Sequence, residues 1–294
     1  MKDKELVNNY NFFGDINYCK ENIIYVDNKK YFLKKKPPYI KLEEFRRSVE
    51  IQQLLSVYKL SPPLLLNNDN QLLTIDSNIY FIQEYYGQPK YKERIKFHKK
   101  KYRNLIDSME RIRCSESTKK QSFLLNNFQV ESACITYIKN KIIKILPGDL
   151  WEKVEDKIRF PSKKEVEQLK KSLVHGDLHL GNILNGKEGL KLIDFDESFY
   201  GYKVFNYAYF FAMCNFFDWQ YGMYKISINE SLKPHHISQY ITSLNRVERK
   251  YLFSFITLAT MQIVIDLSYD QIIRENEMSA LINRMIEIEI FFDF

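Results

Sequence analysis

The feature that most constrains the fold is a change of hydrophobic pattern near residue 86. Before it, short runs rich in β-branched and aromatic residues alternate with polar turns, over 16–34, Leu72–Ile75 and Tyr80–Glu84. Within that region, Leu42–Tyr58 has apolar residues at helical spacing instead. The pattern predicts an α+β chain, in which a small, mainly antiparallel sheet with one inserted helix precedes a larger helical part.

Helical spacing dominates from about residue 92 to the end of the chain. It predicts helices over 92–113, 117–146, 149–158, 163–173, 202–226, 235–243, 246–273 and 277–291, interrupted by a loop-and-strand insert over 174–195. A length of 294 residues fits one large domain or two lobes. We therefore predict an N-terminal lobe over 1–86 and a helical C-terminal lobe over 87–294.

The composition narrows the class of protein. With 45% hydrophobic and 28% charged residues, the chain is not mainly disordered. The longest apolar stretches, 205–217 and 251–267, are shorter than the roughly 20 residues that span a bilayer, so no membrane association is expected. The four cysteines stand far apart, and no secretory signal is apparent, which favours a cytoplasmic location.

The charge is unevenly distributed along the sequence. The net charge is +7 overall, with +11 over residues 1–195 and −4 from Asp196 onward. The run 89–103 holds eight Lys or Arg and one Glu. It is either a binding surface for phosphate groups or a solvated helix face. No nucleic-acid motif is apparent, and no nucleic-acid partner is expected.

Two short strings carry the chemistry: HGDLHLGN at 175–182 and LIDFD at 192–196. Asp177 and Asn182 lie five residues apart on a predicted loop, and Asp194 ends a short apolar strand twelve residues later. Carboxylate and amide oxygens suit Mg²⁺, which uses one or two carboxylates together with substrate phosphates. A further carboxylate beside them can accept a proton from a hydroxyl nucleophile.

Together these strings resemble the aminoglycoside phosphotransferase and choline kinase family, which has a protein-kinase-like fold. The catalytic loop of that family reads HGDxHxxN, and its metal strand reads IDF or IDW. Protein kinases have a related loop and an Asp-Phe-Gly metal motif. A polar turn with a buried histidine is the structural alternative, but it does not explain the shared spacing. The resemblance implies a two-lobed fold and phosphoryl transfer from ATP with Mg²⁺.

The resemblance also implies roles for residues of the loop and the strand. Asp177 matches the catalytic aspartate, and Asn182 and Asp194 match the magnesium ligands. His175 matches the histidine that scaffolds the loop. His179 either braces the same loop or contacts phosphate.

On the nucleotide side, the family pairs a strand lysine with a glutamate of the following helix. Lys34 follows an alternating apolar strand at the matching place, although the run Lys34–Lys36 leaves the register open. Glu50 precedes a Leu-rich turn and matches the glutamate. Glu43 and Glu44 are its competitors, but the helix dipole alone explains acids in a first turn.

The remaining nucleotide contacts are implied by chain order. The segment 81–87 resembles the hinge, where backbone groups of residues 84 to 86 bind an adenine edge, so Glu84 and Tyr86 are candidates. Gly14 is the only glycine before Lys34, so the glycine-rich loop is poor. The family has an aspartate where Asn206 stands, and we expect Asn206 to bond to the catalytic loop.

The predicted function is transfer of the γ-phosphate of ATP to a hydroxyl of a small acceptor molecule. Two alternatives stay open: a protein or peptide kinase, and a non-catalytic kinase-like protein such as a bacterial spore-coat or binding protein. The acidic C-terminal part favours an amine-bearing, cationic or zwitterionic acceptor. The candidate acceptor contacts are Glu197, Asp218, Asp266 and Asp270.

Overall fold

A computed structural model provides the structure of the chain. It describes residues 16–19, 22–26, 29–65, 72–75, 77–86, 99–110, 112, 139–141, 144–145, 148–178, 180–186, 188–216, 241–269 and 274–289. Four of the predicted site residues, Gly14, His179, Asp218 and Asp270, lie outside the described residues.

The chain divides into two compact units. The described residues up to 86, together with Gly181–Ser198, form the first unit. The described residues from 99 to Leu180 and from Phe199 to 289 form the second. The metal strand and its aspartates therefore belong to the same unit as the predicted nucleotide-binding sheet, although they come 100 residues later in the chain.

Strands and helices are numbered here in chain order. The strands are β1 (Ile16–Cys19), β2 (Ile23–Val26), β3 (Lys29–Lys35), β4 (Leu64–Leu65), β5 (Leu73–Ile75), β6 (Asn78–Glu84), β7 (Lys171–Val174), β8 (Ile183–Gly186), β9 (Gly189–Leu192) and β10 (Phe199–Tyr202). The helices are α1 (Leu42–Val57), α2 (Lys99–Met109), α3 (Gly148–Glu155), α4 (Lys163–Val166), α5 (Val204–Phe216), α6 (Arg246–Lys250), α7 (Leu252–Tyr269) and α8 (Glu275–Glu287).

The first unit is built on an antiparallel sheet. Within the described residues, its strand order is β1-β2-β3-β6-β4, and β5 also pairs with β6. Alternation along β3 buries Tyr31 and Leu33 on one face, where they pack with Ile24 and Ile82. Because successive side chains point to opposite faces, Lys34 lies on the other face.

The start of this sheet differs from the sequence prediction. The run 16–34 predicts two strands, but the structure has three, since β1 and β2 form a hairpin. Asn22, directly before β2, has a φ of 62°, a left-handed conformation that asparagine tolerates better than most residues. The connection between β1 and β2 is short and carries no Gly or Pro. Hydrophobic patterning alone therefore predicts one continuous strand where the structure has two.

Helix α1 packs on the other face of the sheet, as its apolar spacing predicts. Phe45 and Val49 are fully buried and pack with Ile40 and Phe81. The rings of Phe45 and Phe81 lie 5.6 Å apart. This packing fixes which side of α1 faces β6, and therefore which polar residues of the helix are turned inward.

The hairpin β8–β9 is attached to the rest of the first unit by polar contacts. The Leu192 N–H donates to the Leu60 carbonyl at 2.7 Å. The buried Lys191 ammonium donates to the Lys59 carbonyl at 2.8 Å and lies 5.3 Å from the centre of the Tyr86 ring. These contacts hold the C-terminal end of β9, which directly precedes the aspartates of the LIDFD string, next to the turn after α1.

The second unit is mainly helical, with α5 and α7 at its centre. Both helices are mainly apolar, 204–213 and 252–261 are buried, and the rings of Phe205 and Phe255 meet edge to face at 4.9 Å. Within the described residues, no helix combines the length and apolar character that crossing a bilayer requires.

One predicted helix of this unit is wrong. The spacing over 163–173 predicts a single helix, but α4 ends at Val166 and Lys171–Val174 is strand β7. Strand β7 pairs antiparallel with β10, which lies about 25 residues further along the chain. A partner so distant in sequence leaves no trace in local periodicity.

Candidate functional site

Lys34 lies at the centre of a buried cluster of charges. Its ammonium is 2.8 Å from Oδ1 of Asp194 and 2.8 Å from Oδ2 of Asp196. The ring of Phe81, the partner of Lys34 in β6, lies 5.9 Å from the same nitrogen. Burial by itself lowers the pKa of Lys34, but the two carboxylates outweigh burial and raise the pKa above its ordinary value.

The structure also decides which lysine of the run occupies this place. The Lys36 ammonium donates to the Pro37 and Ile40 carbonyls, at 2.8 and 2.6 Å, and closes the turn before α1. Lys34 is therefore the lysine that reaches the aspartates.

Asp194 stands where the chain leaves β9. The Ile193 N–H donates to the Asn182 carbonyl at 3.0 Å, which ties the metal strand to the end of the predicted loop. Asp194 has a φ of 68°, a conformation that few residues other than glycine adopt and that clusters at functional sites. Phe195 is buried and anchors the segment.

Asp196 is the more enclosed of the two carboxylates. The residue is 8% exposed, and its Oδ1 atom has no hydrogen-bond partner among the described residues. Burial raises the pKa of Asp196, Lys34 lowers it, and Asp194 raises it further, with a net increase. An unpaired, buried carboxylate oxygen is costly in a protein and calls for an explanation.

The predicted magnesium ligands Asn182 and Asp194 both belong to the first unit. Asn182 is buried at the end of a short 3₁₀ turn, Leu180–Asn182, within the same unit as Asp194. No group of three or more His, Cys, Asp or Glu side chains in the described part of the chain forms a ready-made metal site. One amide and one or two carboxylates is instead the sparse donor set that suits Mg²⁺ bound with nucleotide phosphates.

The structure does not bring Glu50 to Lys34. Glu50 is exposed on α1, whereas the buried polar residues of that helix are Ser48 and Gln52. The Gln52 amide donates to Oε1 of Gln83 at 2.6 Å. At about 100° per residue, Glu50 lies nearly opposite Ser48 on the helix. The packing that buries Ser48 therefore turns Glu50 outward.

The predicted hinge, 81–87, begins within β6, whose last residue is Glu84, and Tyr86 comes two residues later. The Glu84 N–H donates to the Pro63 carbonyl and the Tyr85 N–H to the Lys30 carbonyl, both at 2.9 Å. The register of β4 with β6 places Pro63 opposite Glu84, and proline has no N–H to donate in return. Pro63 therefore offers no N–H donor to the Glu84 carbonyl opposite it.

The predicted catalytic loop follows β7, and its described residues up to Leu180 belong to the second unit, whereas Gly181 and Asn182 belong to the first. Asn206 on α5 accepts from the His175 N–H at 3.0 Å and donates to the Leu173 carbonyl at 2.8 Å, as its position predicts. His175 is fully buried, and its Nδ1 accepts from the Asp177 N–H at 3.4 Å. Gly176 has a φ of 81°, which a side chain would strain. The loop is thus braced directly before Asp177, which is partly exposed.

The predicted acceptor contacts fall in different units. Glu197 is exposed in the first unit, directly after the metal strand. Asp266 is exposed on α7 of the second unit and accepts from the Gln262 side-chain amide at 2.7 Å.

Sequence reasoning gave no role to two residues that the structure brings to this region. Asp196 was part of the LIDFD string, and its charge was the available signal. Pro63 has a mechanistic consequence only once its place opposite Glu84 is known.

Comparison with known proteins supports the same family. Residues 127–225 match the model of the phosphotransferase enzyme family, a segment that includes Asp177, Asn182 and Asp194. No curated protein matches the chain significantly. The resemblance to aminoglycoside phosphotransferases is confirmed, whereas the choline kinase and spore-coat branches stay predictions.

Solved structures of low sequence identity share the fold. An aminoglycoside phosphotransferase from Alicyclobacillus acidocaldarius has a TM-score of 0.60 at 12% identity, over 97% of this chain and 91% of that chain. Spectinomycin phosphotransferase in complex with ADP and spectinomycin has a TM-score of 0.60 at 15% identity, over 99% and 96%. Amicoumacin kinase in complex with AMP-PNP and Ca²⁺ has a TM-score of 0.57 at 14% identity, over 99% and 92%. The α+β, protein-kinase-like fold is confirmed.

Proposed function

We propose that this protein transfers the γ-phosphate of ATP to a hydroxyl group of a small, amine-bearing molecule. The observation that carries the proposal is the contact of Lys34 with Asp194. A lysine on the third strand and an aspartate at the end of the metal strand meet at 2.8 Å, although 160 residues separate them. Phosphoryl transfer depends on such a lysine and metal-binding aspartate beside one another.

The first unit supplies the nucleotide-binding groups in this proposal. The Glu84 carbonyl, left without a ladder donor by Pro63, accepts from the adenine amino group, and the Tyr86 backbone N–H donates to the adjacent ring nitrogen. Lys34 binds phosphate oxygens, since an ammonium has three N–H donors and the two aspartates use two of them. The part of the chain over 1–86 is therefore proposed as the nucleotide-binding lobe.

Asn182 and Asp194 would hold Mg²⁺ through their side-chain oxygens. When bound, the ion neutralises charge on the β- and γ-phosphate oxygens. Asp177 accepts the proton of the acceptor hydroxyl. At the same time, the hydroxyl oxygen forms a bond to the γ-phosphorus, and the bond between that phosphorus and the β-phosphate oxygen breaks. The products are the phosphorylated acceptor, ADP and a proton.

The region 87–294 is proposed as the lobe that binds the acceptor. The part of this region from Asp196 onward carries a net charge of −4 and supports an ammonium-bearing acceptor, as does the similarity to aminoglycoside phosphotransferases. Glu197, Asp218, Asp266 and Asp270 are the proposed contacts, because a carboxylate attracts an ammonium and steers it at low salt. Reliance on ATP and the scattered cysteines favour the cytoplasm.

A small acceptor is favoured over a protein substrate by the short connection after the metal strand. Helix α5 begins at Val204, ten residues after Asp194, and β10 takes up four of those residues. That connection leaves no room for a long activation segment.

The test is a screen for ADP release with Mg·ATP and amino sugars, choline, amino acids, sugars and sugar phosphates. We expect turnover with amine-bearing alcohols, and Asp177→Asn should lower it by at least about a hundredfold. The same variant should keep the thermal shift that Mg·ATP produces, because Asp177 is not a proposed nucleotide contact. A parent protein that binds Mg·ATP but turns over no acceptor would support the non-catalytic alternative. Turnover only with anionic acceptors would refute the acceptor class.

A further inference from the structure

Helix α1 presents no carboxylate to Lys34. Its inward polar side chains are the neutral Ser48 and Gln52, and Glu50 is exposed. Glu44 accepts from the Lys41 N–H at the start of the helix, at 3.3 Å, and so serves the helix end. In protein kinases, by contrast, a glutamate of this helix pairs with the strand lysine.

Asp196 occupies the place that such a glutamate would fill. Its Oδ2 is 2.8 Å from the Lys34 ammonium, and its side chain is 10% exposed. The hydroxyl of Ser48, on the inward side of α1, donates to the Phe45 carbonyl at 2.9 Å. Asp196 therefore reaches the lysine from the segment after β9 and not from α1.

The two aspartates on Lys34 differ in their freedom to leave it. The Asp194 side chain is 44% exposed, whereas that of Asp196 is 10% exposed. A hydrated side chain exchanges partners at lower cost than a buried one, because water replaces the lost hydrogen bond. Asp194 is thus able to turn from the lysine to a metal ion, while Asp196 stays.

We propose that Asp196 is the positioning residue of Lys34, in the role that a helix glutamate has in protein kinases. The inference rests on the proposed function, in which Lys34 binds the phosphates and Asp194 binds the metal. Asp196 keeps the ammonium in place when Asp194 takes up the metal. Because Asp194 and Asp196 both bond to the Lys34 ammonium, the direction of Lys34 does not depend on a carboxylate of α1.

Binding of Mg·ATP, measured by calorimetry, tests this assignment. Asp196→Asn should weaken binding by about 10- to 100-fold, the worth of one charge-assisted hydrogen bond. With an amide at position 196, Asp194 is the only charged partner that Lys34 retains. Lys34 then keeps Asp194 from binding the metal. Asp196→Glu, which restores the charge, should recover most of the affinity. Glu50→Gln tests the competing assignment and should bind as the parent does, and Glu43→Gln is the exposed control on the same helix.

A double-mutant cycle separates positioning from direct metal binding. If Asp196 acts through Lys34, the double variant Lys34→Met/Asp196→Asn should bind Mg·ATP as weakly as Lys34→Met alone. An additional loss in the double variant would mean that Asp196 acts on the metal or the nucleotide itself, and it would overturn the proposal. The double variant leaves no unpaired buried lysine, so this comparison holds even if Asp196→Asn alone fails to fold.

The remaining outcomes also decide. Parental affinity in Asp196→Asn, or loss in Glu50→Gln, refutes the positioning role and leaves the proposed function intact. A parent protein that does not bind Mg·ATP refutes both.

Discussion

Each unit of this protein buries a lysine among carboxylates, but the two lysines are satisfied to different extents. In the second unit, the Lys203 ammonium donates to Glu110 and to the Ser243 carbonyl, and it lies 3.7 Å from Glu248. Glu110 and the Ser243 carbonyl accept hydrogen bonds from Lys203, and Glu248 is a further ion-pair partner beyond hydrogen-bond distance. Around Lys34, the described residues supply two acceptors, one of them half exposed, and no described residue pairs with a buried oxygen of Asp196.

The difference separates a structural cluster from a functional one. Glu248 is fully buried and also accepts from the Lys170 and Asn245 N–H groups, at 3.1 and 2.8 Å, so the Lys203 cluster joins the chain before β7 to the start of α6. A fully satisfied buried network fixes a structure. The incomplete network at Lys34 has donors and acceptors left for a ligand.

The largest expected effect is on stability, from loss of Lys203. Lys203→Met leaves the buried Glu248 without its cation and should lower the free energy of unfolding by about 3–5 kcal/mol. Urea denaturation measures the change, and Lys164→Met, at an exposed lysine, is the control, with an expected change within about 0.5 kcal/mol. A small loss of unfolding free energy in Lys203→Met would contradict the structural role of the Lys203 cluster.

Loss of Lys34 should act on function instead. Lys34→Met should lower kcat/KM for ATP by at least about a hundredfold, because a phosphate contact and the order of both aspartates are lost. Its stability should fall less than that of Lys203→Met, since Asp194 is half exposed and water can hydrate it. Lys36→Met, at a lysine that only closes a turn, should retain most activity. Equal losses at positions 34 and 36 would contradict the register.

The brace of the catalytic loop gives an intermediate effect. Asn206→Asp keeps an acceptor for the His175 N–H but no longer donates to the Leu173 carbonyl. We expect a loss of about 1–3 kcal/mol in stability, the cost of one unsatisfied buried group. Asn206→Ala removes both bonds and should cost more. If Asn206→Asp is as stable as the parent, the bond to the Leu173 carbonyl contributes nothing to stability. Asparagine and the aspartate of the family would then be interchangeable at this position.

The smallest effect concerns pH. Glu165 and Glu248 are both third residues of a helix with a capping box, in α4 and α6. Hydrogen bonds, first from Lys250 and then from Ser162, lower the pKa of Glu165 to about 2, whereas burial raises the pKa of Glu248. Because the folded pKa of Glu165 lies below its ordinary value, its stabilisation is present above that value of 4.5 and is lost as pH falls toward about 2.

Melting temperatures from about pH 6 down to about pH 2.5 measure the contribution of Glu165. The parent and Glu165→Gln should differ most at the upper end of this range and converge at the lower end. The difference should shrink with added salt, because this carboxylate is solvent-exposed. A difference that grows as the pH falls would contradict the direction of the pKa shift.

The sequence predicted the elements whose signals are local. Alternation along Tyr31–Lys34 predicted both β3 and the lysine on its second face. The apolar stripe of Leu42–Tyr58 predicted α1, which ends at Val57. The spacing of Asp177, Asn182 and Asp194 predicted a phosphotransferase loop and metal strand, and the family match covers all three.

Other features depended on distant parts of the chain. Strand β7 formed where a helix was predicted, because Lys171–Val174 found its partner in Phe199–Tyr202. The acid that meets Lys34 is Asp196 rather than Glu50, because the rotation of α1 about its axis is set by packing of Phe45 and Val49 against the sheet.

The sequence by itself therefore determined the chemistry available: a lysine, an asparagine and several aspartates at the spacing of a phosphotransferase. Only the tertiary structure decided two of the pairs, placing Asp196 on Lys34 and Pro63 opposite Glu84. The physical reason is that spacing along the chain fixes side chains within one strand or helix turn. Contacts between elements depend on the packing of whole faces, which no local pattern encodes.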